Sequence, residues 1–323
     1  MMFLPLSIWS ILLIISSNSW ISMWIGLEIN LMSTIPIIYS KNNIYSSEST
    51  TKYFIVQAFA SSLFLFSVIS MPLFPMWNLH LKLFLLTAIL MKLGMPPFHF
   101  WLPDMVSGLS WTENMIILII QKIAPMIILM NSLECSSYIS MIVILASTIS
   151  SIQGLNQTDL RKIMAYSSIN HMSWMILSMM KSVNLWILYF CIYAIISFTV
   201  MKLMSLSNTY WLSNLSKNNK SSMIILSLNI MSMGGLPPML GFLPKWLVIQ
   251  LMWQKMMITV LILIILSIIV LYFYMRLTIT SLTLMNKMNM NLNNNMMNIN
   301  YMFMSTVAIN VLALTPWLVS FSI

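Results

Sequence analysis

Apolar runs of about twenty residues follow one another along almost the whole chain, and they limit what it can fold into. A membrane-spanning helix needs about 20 mainly apolar residues, because the hydrocarbon core is about 30 Å thick and each residue rises about 1.5 Å. Of the 323 residues, 59% are hydrophobic and only 7% are charged, whereas a soluble domain carries roughly 25% charged residues. Too few polar side chains remain to cover a soluble globule, so we predict an all-α polytopic membrane protein.

The runs predict about eleven transmembrane helices. Their approximate ranges are 3–20, 22–39, 53–71, 79–102, 112–131, 137–154, 162–180, 184–206, 222–252, 256–280 and 300–321. The Asn- and Met-rich stretch at about 285–300 predicts a low-complexity loop. We interpret residues 1–323 as a single transmembrane domain, because a helix bundle in lipid grows sideways without a water-excluding core to limit it.

Several functional classes are excluded by what the chain lacks. Its net charge is +9, but the basic residues are scattered singly, a pattern that fits lipid headgroups rather than nucleic acid. Two cysteines, Cys135 and Cys191, make neither a disulfide framework nor a metal or iron–sulfur ligand set. With 7 Gly and no phosphate-binding loop, the chain has no nucleotide motif. We predict no nucleic-acid partner and no metal, nucleotide or redox cofactor in this chain.

The distribution of basic residues predicts the orientation. Counted from the N-terminus, the loops on the N-terminal side hold Lys41, Lys52, Arg161, Lys162, Lys217, Lys220 and Lys287, and those on the other side hold Lys82, Lys181 and Lys255. The N-terminus is therefore predicted on the cytoplasm-equivalent side, with the C-terminus opposite. The 35 Met and the abundant Ile and Asn fit AT-rich organellar coding, or simply side chains that suit lipid. In a mitochondrion, the N-terminus would face the matrix and the C-terminus the intermembrane space.

The most informative ionisable residues inside the apolar runs are Glu28, Lys92, Lys122 and Lys245. Each charge at the centre of a membrane helix costs about 2.5–3.5 kcal/mol, or roughly 10 kcal/mol for the four together. That is as large as the net stability of many folded domains. Because a scaffold has no use for such a penalty, we predict that these residues are functional.

Structural alternatives remain open for these residues. The stem of Lys245 could extend to the membrane interface, where its neighbour Trp246 is a typical residue. Glu28 could be a neutral, hydrogen-bonded acid. Lys202 lies closer to a polar loop, and we interpret it as interfacial.

Glycine and proline interrupt two of the runs near these lysines. Residues 94–97 follow Lys92, and residues 234–238 precede Lys245. Because proline removes a hydrogen-bond donor and clashes with the preceding turn, each run predicts a broken helix. Two such segments in corresponding places are typical of an inverted-repeat, antiporter-like transporter core. Two kinks without function are the alternative.

The charged residues together predict a proton relay. An amine in a water-poor site gives up its proton more readily, whereas a nearby carboxylate holds the proton in place. If Glu28 pairs with Lys92, breaking that pair would send a proton onward toward Lys122. His99 and His171 are further candidates, because imidazole titrates near neutral pH. Structural histidines are the alternative for both, and a haem held by two histidines also stays open.

Five stretches carry a resemblance to a known family. They are WIGLEIN at 24–30, MKLGMPPFHFW at 91–101, QKIAP at 121–125, LNQTDLRKIMAYSSINHM at 155–172 and GGLPPMLGFLPKW at 234–246. Together they resemble the chain 2 family of mitochondrial NADH:ubiquinone oxidoreductase (complex I). The similarity extends through most of the chain and is weakest at 285–300.

The resemblance implies an antiporter-like, proton-translocating subunit in the membrane arm of complex I, in the mitochondrial inner membrane. It implies Glu28, Lys92, Lys122 and Lys245 as the relay, driven by electron transfer from NADH to ubiquinone in other subunits. The chain would then be part of a proton-translocating NADH:ubiquinone reductase. Flavin, iron–sulfur clusters and ubiquinone are expected in partner subunits.

The expected partners are the other membrane-arm subunits and the lipid bilayer, including its cardiolipin. Two other classes of function stay open at this point: a free-standing cation/proton antiporter, and a structural scaffold subunit whose charges no longer act.

Overall fold

The computed structural model describes residues 3–40, 43–132, 136–217, 220–237 and 239–285. These residues form helices and connecting turns, which confirms the all-α prediction. The helices are α1 (Phe3–Ser16), α2 (Trp20–Ile38), α3 (Ile44–Leu73), α4 (Asn78–Leu93), α5 (Trp101–Ser107), α6 (Trp111–Met115), α7 (Gln121–Asn131), α8 (Ser136–Leu155), α9 (Leu160–Met179), α10 (Val183–Ser207), α11 (Lys220–Gly234), α12 (Phe242–Met252) and α13 (Met257–Met285). Short 3₁₀ turns occupy Pro75–Trp77 and Leu212–Lys217, and a π-helical turn occupies Ile116–Ile120.

Six helical segments in the described ranges are long and apolar enough to cross a membrane. They are Trp20–Ile38, Ile44–Leu73, Trp111–Asn131, Ser137–Leu155, Val183–Ser207 and Met257–Ser281. Shorter apolar helices occur at Phe3–Ser16, Ser222–Gly234 and Phe242–Met252. The predicted count of about eleven is therefore not confirmed. The predicted helix at 300–321 and all but the first residue of the predicted loop at 285–300 lie outside the described residues.

The chain divides into two compact units, Met1–Ala146 and Ser147–Ile323. In the first unit, α2 packs between α1 and α3, while α4 packs against both α3 and α7. In the second unit, α10 packs against α9, α11 and α12, and α13 packs against α11. The prediction of one transmembrane domain stays a prediction.

Helix α3 begins earlier than hydropathy predicts. The apolar run suggests a start near residue 53, whereas the helix begins at Ile44, where the side chain of Asn43 accepts a hydrogen bond from the Tyr45 amide at 3.2 Å. The added turns carry a salt bridge between Glu48 and Lys52, with 2.7 Å between Nζ and Oε1. Capping and i,i+4 pairing extend the helix beyond its apolar portion, which a hydropathy reading cannot detect.

Helix α9 forms the core of the second unit. Every residue in it is buried except Arg161 and Lys162. Its N-terminus is capped by Asp159, whose carboxylate accepts from the Arg161 amide at 2.9 Å and forms a salt bridge with the Arg161 guanidinium at 3.2 Å. Because α9 is surrounded by protein, no side of it faces solvent, and its polar side chains point into the protein.

Arg276 on α13 forms hydrogen bonds to the backbone at the C-terminal end of α8 and just beyond it. Its two terminal nitrogens donate to the carbonyl oxygens of Leu155 at 2.6 Å and Gln157 at 2.9 Å. The last carbonyls of a helix have no partner within the helix, and cationic side chains commonly satisfy them.

Candidate functional site

Lys92 lies in the last turn of α4, where the helix ends inside the protein. Gly94 adopts a left-handed conformation with φ of 70°, and its amide donates to the Met91 carbonyl at 3.1 Å. The next amide, that of Met95, donates to the Leu90 carbonyl at 2.9 Å, which completes a Schellman motif. The left-handed conformation favours glycine, and the prolines that follow cannot continue the helix.

Two side chains also donate to carbonyls at the buried end of α4. The indole of Trp101 donates to the Met91 carbonyl at 3.2 Å, and the amide of Gln57 donates to the Lys92 carbonyl at 3.3 Å. Backbone groups at membrane depth must be satisfied by protein or by trapped water. This end of α4 can therefore lie inside the unit, and it brings Lys92 with it.

Lys122 lies on α7, next to a local change in helix geometry. The five residues Ile116–Ile120 form a π-helical turn, and the Gln121 amide donates to the Ile116 carbonyl. Pro125 then removes the donor that would bond the Gln121 carbonyl. Such π turns often occur at functional sites, because they rotate the following side chains relative to a regular helix.

Lys92 and Lys122 line the same cavity. Their side chains are 7% and 3% exposed, and the cavity measures about 20 Å³. Its polar lining also includes Tyr53 and the amides of Asn30, Gln57 and Gln121, and apolar residues of α2, α4, α5 and the π turn complete it. Helices that are distant in sequence thus bring two buried amines to one small polar space.

Glu28 lies on α2 and is partly buried. Its carboxylate is close enough to Lys92 for an electrostatic interaction. The two groups do not form a direct salt bridge within 4.0 Å. Glu28 and Lys92 are thus neighbours in the first unit, and their exchange of a proton stays a prediction.

Lys245 lies on α12 and bonds the end of α11. Helix α11 ends in a second Schellman motif, with Gly235 left-handed at φ of 79° and the Leu236 amide 3.5 Å from the Met231 carbonyl. The Lys245 side chain is 5% exposed, and its Nζ donates to the Gly234 carbonyl at 2.9 Å. A buried amine bonded to a helix end disfavours the alternative of a stem extended to the membrane interface.

The predicted histidines have different surroundings. His171 on α9 is buried, and its Nδ1 is 3.1 Å from the hydroxyl of Tyr189 on α10. The ring of Tyr193 lies 5.2 Å from the ring of His171. His99 is also buried, and its ring lies tilted against that of Phe100, with ring centroids 4.1 Å apart.

The sequence reading missed Tyr189, Tyr193, Asn30 and Gln121. The available signal for Tyr189 and Tyr193 was their spacing of four residues within an apolar run, which places both on one helix face. The signal for Gln121 was its position next to Lys122.

The predicted residues divide between the units: Glu28, Lys92, His99 and Lys122 belong to the first, and His171 and Lys245 belong to the second. Within the described ranges, no three His, Cys, Asp or Glu side chains come together as metal ligands would. The assigned relay roles stay predictions.

Comparison with known sequences shows which family the chain belongs to. The family described as NADH:quinone oxidoreductase/Mrp antiporter, transmembrane, matches residues 17–270. The chain belongs to this family. It is 44% identical over 257 residues to NADH-ubiquinone oxidoreductase chain 2 of Anopheles gambiae. The aligned region covers 77% of this chain and 75% of the relative. Membership in this transmembrane family, together with the apolar helices, shows a multi-pass membrane protein.

Solved structures share the antiporter-like fold. A chain of respiratory complex I from Thermus thermophilus with bound aureothin superimposes with a TM-score of 0.85 at 19% identity, covering 98% of this chain and 78% of that one. A chain of the Mrp complex from Dietzia gives a TM-score of 0.75 at 12% identity, covering 87% of this chain and 59% of that one. At these identities, the likeness concerns the fold alone.

Proposed function

We infer that this chain is a proton-translocating subunit of the membrane arm of respiratory complex I. The observation that carries the proposal is that Lys92 and Lys122, from two different helices, share one small polar cavity in a member of the NADH:quinone oxidoreductase/Mrp antiporter family. The named relative is chain 2 of NADH-ubiquinone oxidoreductase, which favours complex I over other assemblies.

The cavity supports proton exchange between the two amines. The charged form of an amine is disfavoured away from water, so its protonation depends on neighbouring charges. Glu28, partly buried and electrostatically coupled to Lys92, would supply such a charge. A change in the distance between Glu28 and Lys92, driven by electron transfer from NADH to ubiquinone in other subunits, would then release a proton toward Lys122. Lys245, His171 and His99 would extend the relay.

The same proposal includes a core with two broken helices among about eleven transmembrane helices. Its support is the local similarity of the two segments. Both α4 and α11 end in a left-handed glycine within a Schellman motif, and each is followed two residues later by proline. Two such interruptions in corresponding places are typical of inverted-repeat transporters.

The remaining features follow from assembly in complex I. We propose that flavin, iron–sulfur clusters and ubiquinone belong to partner subunits, and that this chain contributes to the enzyme without a redox centre of its own. Its location would be the mitochondrial inner membrane, with the N-terminus in the matrix and the C-terminus in the intermembrane space. Other membrane-arm subunits would be its partners, and cardiolipin a lipid contact.

Replacing Lys122 by Met in the assembled complex tests the proposal. The expected result is a fall of about a hundredfold in coupled proton pumping, the lower end of what a positioned proton-transfer group contributes. Lys181→Met is the matched control, because Lys181 is exposed at the turn between α9 and α10. Pumping is measured in proteoliposomes as the initial rate of proton uptake driven by NADH oxidation, per assembled complex. Normal pumping by Lys122→Met at normal assembly would contradict the proposal and favour the scaffold alternative.

A free-standing cation/proton antiporter is the second candidate, because the family description includes Mrp antiporters. The purified chain alone, reconstituted in vesicles with an imposed sodium or potassium gradient, distinguishes the two. Proton flux that depends on the cation gradient would support the antiporter, whereas a complex I subunit is expected to show none without its partners.

A further inference from the structure

Two buried amides from distant parts of the chain form a direct hydrogen bond in the first unit. The Asn30 amide on α2 donates to the Gln121 amide oxygen on α7 at 2.7 Å, across 91 positions of sequence. The two side chains are 5% and 8% exposed. The bond joins α2 and α7 at the wall of the cavity that Lys92 and Lys122 line, called the lysine cavity below.

The pair retains unused hydrogen-bonding capacity. Asn30 Oδ1 and Gln121 Nε2 are buried without a hydrogen-bond partner among the described residues. The result does not depend on how the two amides are oriented. If both were turned over, Gln121 would donate to Asn30, and one donor and one acceptor would again remain. Buried polar atoms of this kind are normally satisfied by protein or by ordered water.

The open donor and acceptor belong to residues that line the lysine cavity. Asn30, Gln121, Lys92 and Lys122 all contribute to its wall. Its volume of about 20 Å³ exceeds the roughly 10–15 Å³ that one water molecule requires. A water in this space would have several polar partners, which is the usual condition for a buried water to be ordered.

We propose that Asn30 and Gln121 form a paired-amide site that holds one water molecule between Lys92 and Lys122 and orients it for proton transfer. The water oxygen accepts a proton from the Lys92 ammonium while the water donates one of its own protons to the neutral Lys122 amine. Water is regenerated, and one positive charge moves between the lysines. Asn30 and Gln121 are positioning residues. The transfer step rests on the proposed proton-pumping function, whereas the water site itself does not.

Apolar replacements of similar size test the positioning role in the assembled complex. The variants are Asn30→Leu and Gln121→Met, together with the exchange Asn30→Gln/Gln121→Asn, which keeps both amides. Asn114→Leu is the matched control: Asn114 is also buried, donates to the Val106 carbonyl at 3.2 Å and keeps an unpartnered Oδ1, but it does not line the cavity. Lys122→Met is measured in parallel as the test of pumping itself.

The readout is coupled proton pumping per assembled complex, measured in H₂O and in D₂O. A bridging water is nearly equivalent to a direct hydrogen bond, and each apolar variant removes one of the amides that hold it. We therefore expect each apolar variant to lower pumping by about tenfold and to change its solvent isotope effect. The exchanged pair should restore both values, and Asn114→Leu should pump normally. Loss of an amide that acts only in packing would leave the isotope effect unchanged.

The outcomes separate this inference from the proposed function. Normal pumping and isotope effects in both apolar variants, with Lys122→Met inactive, would overturn the water site and leave the pumping function intact. Normal pumping by Lys122→Met would overturn the pumping function instead.

If the apolar variants do not assemble, a density map of the unsubstituted complex at a resolution that shows water decides the matter. Density within hydrogen-bond distance of both Asn30 and Gln121 supports the site, and a dry cavity in such a map refutes it.

Discussion

Gly235 and Gly234 offer a comparison of two adjacent glycines at the end of α11. Gly235 is left-handed, and a Cβ there would meet Lys245 Cδ and Nζ, each at 3.1 Å. Alanine in a left-handed conformation costs about 1–2 kcal/mol. The end of Lys245 must move by a few tenths of an ångström, which weakens its bond to the Gly234 carbonyl; full loss of this bond costs about 1.5–3 kcal/mol more, the value of a hydrogen bond to a charged group. With this bond lost, we expect Gly235→Ala to destabilise the protein by about 2.5–5 kcal/mol.

Gly234→Ala is the matched control. Its Cβ would lie 3.3 Å from Cδ2 of the buried Tyr274 ring, so this ring must shift by a few tenths of an ångström, at some cost. Alanine also gains about 0.5–1 kcal/mol over glycine in a helix. These two effects oppose each other, so the expected change in the free energy of unfolding is close to zero.

The midpoint of heat inactivation of the assembled complex, measured at one fixed heating rate, compares the two variants. At about 2–4 °C for each kcal/mol, a difference of about 3 kcal/mol lowers the midpoint by roughly 6–12 °C in Gly235→Ala relative to Gly234→Ala. Coupled pumping should fall in Gly235→Ala alone, because only that variant moves Lys245. Equal midpoints and equal pumping in the two variants would refute the reasoning.

Two further substitutions test contacts in the second unit. Tyr189→Phe removes the hydroxyl that bonds His171 and should cost about 1 kcal/mol, seen as a small lowering of the same midpoint. An unchanged midpoint would show that the bond contributes nothing to stability. Arg276→Met removes the bonds to the Leu155 and Gln157 carbonyls and should cost about 3 kcal/mol, whereas Arg276→Lys, which keeps a cationic donor group but not the two-nitrogen fork, should cost less. Equal losses in the two Arg276 variants would contradict a role for the two-pronged contact.

Much of the fold could be predicted from the sequence, because burial in lipid imposes a length and a composition on each helix. The helices at Trp20–Ile38, Trp111–Asn131 and Val183–Ser207 follow the apolar runs closely. The glycine and proline signals at 94–97 and 234–238 coincide with the ends of α4 and α11. The start of α3 did not follow hydropathy, because its first turns are stabilised by capping and by a salt bridge rather than by apolar burial.

The candidate site was predicted only in part. Lys92 and Lys122 could be identified because a charge inside an apolar run is costly wherever the run packs. The Asn30–Gln121 bond could not be predicted, since neutral amides carry a weaker signal and their partners lie 91 positions apart. The contact between His171 and Tyr189 has the same origin, because it depends on how α9 and α10 are rotated against each other.

The order of residues alone determined that this chain lies in a membrane and which ionisable groups its helices must carry into the apolar layer. Those features depend on composition within single segments, which no packing arrangement can alter. Only the tertiary structure decided that Lys92 and Lys122 face one cavity and that three amide side chains border it. Helical periodicity gives the face on which a side chain lies, but the neighbour that meets this face is selected by the packing of helices that are distant in sequence.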